Sequence, residues 1–149
     1  MKILKINTLK KGWADRKDLL LHANFQILVD FVEKELPFKF IDWNSDEAHI
    51  NAAKEIRSLY RWWVKLRHNR PDYYKELKEN EMPSLEEILK PIYFNDCKTI
   101  DRYQLIRLPE KYSKHYKISN KVIKLENKWK AEDQKNLLRL VAIRQFLWV

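Results

Sequence analysis

One glycine, Gly12, occurs in the whole chain of 149 residues. That scarcity excludes the Gly-rich phosphate loops, the Walker type and the dinucleotide-binding fingerprint included, because each needs several glycines at fixed spacing. It also argues against a sheet built on tight primed hairpins, whose turns need residues with positive φ. Cysteine is as rare. Cys97 stands alone, so no internal disulfide is available, and a reducing compartment fits best. With one cysteine and four scattered histidines, His22, His49, His68 and His115, no spacing matches a structural zinc site. Nor does any motif place His68 or His115 beside Cys97 to make a thiol nucleophile. No segment approaches the ~20 apolar residues of a membrane span, and Met1-Lys2-Ile3-Leu4-Lys5-Ile6 lacks the continuous apolar stretch of a signal peptide. The expectation is a soluble protein with no membrane partner, no metal site and no cofactor.

What the chain does have is apolar weight and positive charge. Hydrophobic residues make up 45% and aromatic ones 13%, enough for one real core at the usual size of a single domain spanning residues 1–149. Thirty Lys and Arg face 21 Asp and Glu, a net charge of +9. Such an excess favours anionic partners: nucleotides, nucleic acid or an acidic protein surface. It also serves solubility, and charge alone does not separate the two.

Periodicity predicts helices. Residues from Asp15 to Leu36 form the strongest pattern, with Asp15 placed as N-cap, Pro37 as stop and so many apolar residues that the helix reads as a central one. Asn44 starts a second helix with Glu47 as its capping-box partner, running to about Asn69 before Pro71, on a seam of Ala52, Ala53, Ile56, Leu59, Tyr60, Trp63 and Leu66. Ser84 and Glu87 open a short helix that Pro91 should end. Residues 2 to 6 and Tyr103 to Leu108 suit short strands that could pair with each other. From about Ser119 to the C-terminus runs a third long pattern, one helix or two, interrupted by Glu132-Asp133-Gln134. The fold expected is mainly α, a single compact domain of about three long helices with at most a minor short β pair. Its core is expected around Phe25, Ile27, Leu28, Phe31, Ile56, Leu59, Trp63, Trp129, Leu137, Leu140 and Val141.

The polar face of the second helix is the most suggestive feature. Lys54, Arg57, Arg61 and Lys65 follow one another at helical spacing. Trp62 flanks them, and Arg67, His68 and Arg70 extend the ridge beyond the helix end. Charge mixed with π-surface grips phosphates and stacks bases, and the planar arginine fork holds a phosphate bidentately. The candidate ligand-binding residues are therefore Arg57, Arg61, Trp62, Lys65, Arg67 and Arg70. The plainer alternative is a solvated outer face with Trp62 covering the core edge. On the first helix, His22, Gln26, Asp30 and Glu33 lie on nearly one line, and Asp15, Asp18 and His22 share a face. Such a set coordinates a divalent cation in some all-α nucleotide hydrolases, or else forms a satisfied hydrogen-bond network. Nothing in the chain names a reaction.

Several blocks carry a resemblance: Gly12-Trp13 followed by residues 21–33, LHANFQILVDFVE; then residues 55–63, EIRSLYRWW; then residues 139–148, RLVAIRQFLW. Together they resemble a family of small uncharacterised proteins of tailed bacteriophages. The likeness covers both ends and the middle of the chain, whereas residues 70 to 118 bring little to it. It implies a context, the cytoplasm of an infected bacterium, and no catalytic residue. Within that context the expected function is non-enzymatic binding of an anionic partner, nucleotide-type ligand or nucleic acid, in host takeover or counter-defence. Inhibition of a host protein through exposed aromatics is the first alternative, and metal-dependent nucleotide hydrolysis through Asp30 and Glu33 the second.

Overall fold

The apolar run after Gly12-Trp13 folds as helix α1, Arg16–Asp30, and continues through a wide π-helical turn, Phe31–Glu35, in a computed structural model of the protein. The structure describes residues 4–9, 12–72, 74–79, 84–95, 98–105 and 110–147. Cys97, residues 1–3 and Trp148 lie outside that set. The chain is mainly α, and it divides into two compact units: Met1–Arg70 with Trp129–Val149, and Pro71–Lys128.

In the first unit Leu36, between the π turn and the next helix, stands in the left-handed region at φ 51°. Pro37 then opens the one-turn helix α2, Pro37–Phe40, where its fixed φ and missing N–H cost nothing. The N-cap of helix α3, Glu47–Arg61, falls two residues later than the predicted Asn44. Asp46 is the N-cap, and its Oδ1 accepts the His49 backbone N–H at 2.9 Å. That bond holds the Asp46 carboxyl below the usual carboxylate range. Asn44 instead donates its own N–H to Asp42. Asp15 does occupy the α1 N-cap, but its side chain makes no cap bond and pairs with Lys17.

The core joins Leu21, Phe25, Leu28 and Phe31 of α1 to Ala52, Ala53, Ile56 and Leu59 of α3, with Trp43, Trp62, Trp63, Leu140 and Ile143 around them. Phe25 stacks on Trp63 with ring centroids 4.4 Å apart and planes 9° from parallel. Trp129 and Leu137 are half-buried. Ile27 and Val141, expected in the core, are exposed, as are Leu19 and Leu20. Helix α1 is therefore packed on one side rather than surrounded, and the surplus apolar residues on its other side remain at the surface.

A second π-helical turn, Trp62–Arg67, extends α3. In a π turn the backbone bonds run i→i+5, so each residue advances less around the axis than in an α-helix. Extrapolating the α3 seam at α spacing puts Leu66 inside, but the wide turn carries it out to 59% exposure and brings Arg67 round to the inner side. Trp62, expected on the polar ridge, is buried at 5% exposure next to Trp63.

In the second unit, α4 spans Lys75–Lys78 and α5 spans Leu85–Ile88. The predicted capping box closes as written: the Ser84 N–H donates to Glu87 Oε2 at 3.0 Å and the Glu87 N–H to Ser84 Oγ at 3.3 Å. The chain then passes into strand β1, Leu89–Tyr93, which pairs antiparallel with β2, Ile100–Leu105. The expected strand near Tyr103 thus exists, but its partner among the described residues is β1; residues 4–6 form no strand, and residues 2, 3 and 106–108 of the two predicted spans lie outside the described residues. Pro91 sits inside β1 opposite Tyr103, as a two-stranded ribbon allows, because each strand has a free edge for a residue without an N–H. After a 3₁₀ turn, Glu110–Tyr112, helix α6 runs unbroken from Ser113 to Ala142. It begins six residues before the predicted Ser119 and continues through Glu132-Asp133-Gln134 as one helix, with its residues from Trp129 onward in the first unit.

Candidate anion-binding groove

Within the first unit, α3 and the C-terminal part of α6 lie antiparallel. Glu55 in the middle of α3 meets Arg139, whereas Trp62 and Arg70 beyond its end meet Glu132. Two residues of the polar interruption that looked like a break in the third helix, Glu132 and Asp133, are where α6 meets polar partners, while Gln134 is exposed. Arg67 reaches Asp133 with Nε at 3.3 Å from each carboxylate oxygen and Nη2 at 3.2 Å from Oδ2. Arg70 donates to Glu132 at 2.7 Å and pairs with Asp133 at 2.8 Å, and the Trp62 indole N–H donates to Glu132 at 2.8 Å. Both guanidiniums also lie over aromatic rings, Arg67 4.6 Å from the Trp63 centroid and Arg70 5.2 Å from that of Trp129. The side chains of Arg70, Asp133 and Arg67 are only 15%, 18% and 23% exposed. Two of the six predicted ligand contacts, Arg67 and Arg70, are thereby committed to internal ion pairs, and a third, Trp62, is a core residue with one edge in a groove.

That groove, about 570 Å³, lies between the two helices and is lined by Arg57, Ser58, Arg61, Trp62, Leu66, Glu132, Lys135, Asn136 and Arg139. Its size is within the 300–1,000 Å³ typical of ligand sites. Arg139 forms one wall and is held on every side. It donates to Glu55 at 2.9 and 3.2 Å, to Ser58 Oγ at 3.1 Å and to Asn136 Oδ1 at 2.7 Å. Since Ser58 and the Asn136 carbonyl accept those bonds, the Ser58 O–H and the Asn136 amide N–H groups are left as donors. Glu55 neutralises Arg139, and Arg70 neutralises Glu132. Arg57 lies with its guanidinium 4.3 Å from the Phe38 ring centroid. Among the described residues neither Arg61 nor Lys135 has an acidic partner, and both are exposed. Three cations, Arg57, Arg61 and Lys135, therefore converge on one cleft without a compensating carboxylate. Of the predicted ridge, Arg57 and Arg61 belong to the groove, while Lys65 is exposed outside it. Lys135, Asn136 and Arg139 escaped the sequence analysis, and the polar break at 132–134 was the signal that this part of α6 meets polar partners.

The acidic line of α1 is taken up locally. Asp30 is held 2.8 Å from Lys34 and accepts from Gln26, and these bonds lower its pKa. Gln26, itself buried, accepts the Asn7 N–H, and Glu33 accepts the Tyr60 hydroxyl at 2.7 Å. His22 is buried with Nδ1 2.7 Å from Thr8 Oγ1 and its ring edge-on to Trp63. Burial, then the nearby Arg67, keep its pKa low. Among the described residues no three His, Cys, Asp or Glu side chains gather as a metal site. The polar stripe of α1 is a hydrogen-bond network that ties the N-terminal segment to the helix.

Compared with known protein families, curated proteins and solved structures, the chain finds no match in any of the three.

Proposed function

We propose that the protein acts by binding an anionic, phosphate-bearing partner, a nucleotide-type ligand or nucleic acid, in the groove between α3 and α6, without catalysing a reaction on it. The observation that carries this reading is the convergence of Arg57, Arg61 and Lys135 beside the neutral donors Ser58 and Asn136. Arginine forks and hydroxyl or amide donors are the groups that hold phosphate oxygens. Resemblance to tailed-bacteriophage proteins supplies the setting, the cytoplasm of an infected bacterium, and with it a role in host takeover or counter-defence. A second reading, inhibition of a host protein, draws on Trp13 and Phe40, which are 91% and 74% exposed.

The test is the double substitution Arg57→Glu with Arg61→Glu. It replaces two charge-assisted contacts by two repulsions and leaves the buried seam of α3 intact. Nucleotide binding by the parent, measured by calorimetry at low salt, should be abolished. Melting should change little, the loss of the Arg57–Phe38 contact costing about 0.5–1 kcal/mol. A folded variant that binds as the parent does would move the site elsewhere, and a parent that binds no anion at low salt would pass the lead to the protein-inhibitor reading.

A further inference from the structure

On the N-terminal half of α6, within the second unit, Lys114, Lys117, Lys121, Lys124 and Lys128 recur at alternating steps of three and four residues. That spacing keeps them on one ridge of an α-helix, and all five are exposed. The ridge spans about 21 Å at 1.5 Å per residue. Ile118 and Val122 are buried on the side next to it. Between Ser113 and Lys128 the only acidic residue is Glu126, which is half-buried and falls, at α spacing, on the opposite flank of that packed side. Lys114, Lys117, Lys124 and Lys128 have no acidic partner among the described residues.

An ordinary solvated face interleaves the two signs, because opposite charges three or four apart stabilise a helix and like charges destabilise it. Here every successive pair along the ridge has the same sign, and Lys114, Lys117, Lys124 and Lys128 have no carboxylate among the described residues to offset it. A row of ammonium groups that opposes its own helix is relieved when a polyanion lies along it. From this geometry we infer that the ridge is a docking rail for the phosphate backbone of a nucleic-acid duplex, separate from the groove and independent of what the groove binds. An anionic membrane is the poorer fit, since an interfacial helix offers a continuous apolar face for insertion, and the apolar side of this stretch at Ile118 and Val122 is already packed. No aromatic ring and no amide side chain stands on the ridge, so it holds phosphates without reading bases.

The experiment measures binding of the full chain to 20-base-pair DNA duplexes of two unrelated sequences, across 50 to 200 mM salt, with an RNA duplex of equal length to distinguish the nucleic-acid source. The two DNA sequences should bind alike. In the variant Lys117→Gln, Lys124→Gln, Lys128→Gln, the slope of log affinity against log salt should become shallower by about 0.9 for each lysine removed. Changing the same three residues to Arg should preserve the slope, and separates lost charge from lost structure. Glutamine has nearly the helix propensity of lysine, so melting should not fall. The variant should still bind mononucleotide as the parent does, whereas Arg57→Glu with Arg61→Glu should keep the rail's contribution to the slope. An unchanged slope in the glutamine variant would overturn the proposal, as would binding to phosphatidylserine vesicles with none to either duplex.

Discussion

Asp133→Asn is the substitution that most directly separates structural from ligand-binding arginines. The carboxylate of Asp133 receives Arg67 through three contacts of 3.2–3.3 Å and Arg70 through one of 2.8 Å. Asparagine keeps the volume but removes the charge and turns one acceptor oxygen into a donor aimed at a guanidinium. Breaking a fully buried pair costs about 3–5 kcal/mol. Here the three side chains retain 15–23% exposure, and Arg70 keeps Glu132, itself 41% exposed, so the loss should be smaller, about 2–3 kcal/mol. For a chain of this length that lowers Tm by roughly 5–10 °C. Thermal melts at pH 7 in low and in moderate salt are the assay, and most of the loss should survive added salt because partly buried pairs are screened little. If Asp133→Asn melts within a degree of the parent while Arg67→Ala abolishes anion binding, the arginines face a ligand and the assignment of an internal network fails.

Two further predictions test the core. Trp63→Ala removes a ring stacked on Phe25 and edge-on to His22, and should cost about 3–5 kcal/mol; denaturant unfolding reads it, and a loss under 1 kcal/mol would mean that the ring is not packed. Because burial and Arg67 hold the His22 pKa down, the imidazole stays neutral in the folded protein where the unfolded chain, with a histidine near 6.5, already takes up a proton. The unfolded state then binds more protons, so this group's contribution to stability is complete above about pH 7, falls as pH drops through 6.5, and levels off below the folded value. Melting of parent and His22→Gln between pH 7.5 and 5.5 measures it: the variant should lose part of the parent's slope, and equal slopes would place His22 in water.

Helix positions were legible wherever the chain obeys α periodicity. The seam Ala52, Ala53, Ile56, Leu59 and the box Ser84–Glu87 stand as read, because both depend only on neighbours in sequence. The reading failed where the backbone leaves that period. Past Arg61 the π turn rotates the following residues, so Leu66 and Arg67 exchange their expected sides, and of the six candidates Arg57, Arg61 and Trp62 line the groove. It failed again where the partner is distant in sequence. Glu132 and Asp133 looked like an interruption of an amphipathic pattern, and only the arginines some 65 residues earlier make them an inward face. The strand near Tyr103 was found and mispaired, since composition says nothing about which strand lies alongside.

Helices α1 and α3 each end in a π turn, and each turn bears large buried aromatic side chains, Phe31 after α1 and Trp62 with Trp63 after α3. A π turn breaks the i→i+4 ladder of the helix it ends, and here the side chains packed over its amides belong to the core. Local opening at these two places then requires the aromatic cluster to part rather than the helix ends to fray. Amide hydrogen exchange through residues 31–35 and 62–67 should therefore report the cohesion of the core, slow while the rings stay together, and accelerate together in any variant that loosens Trp63.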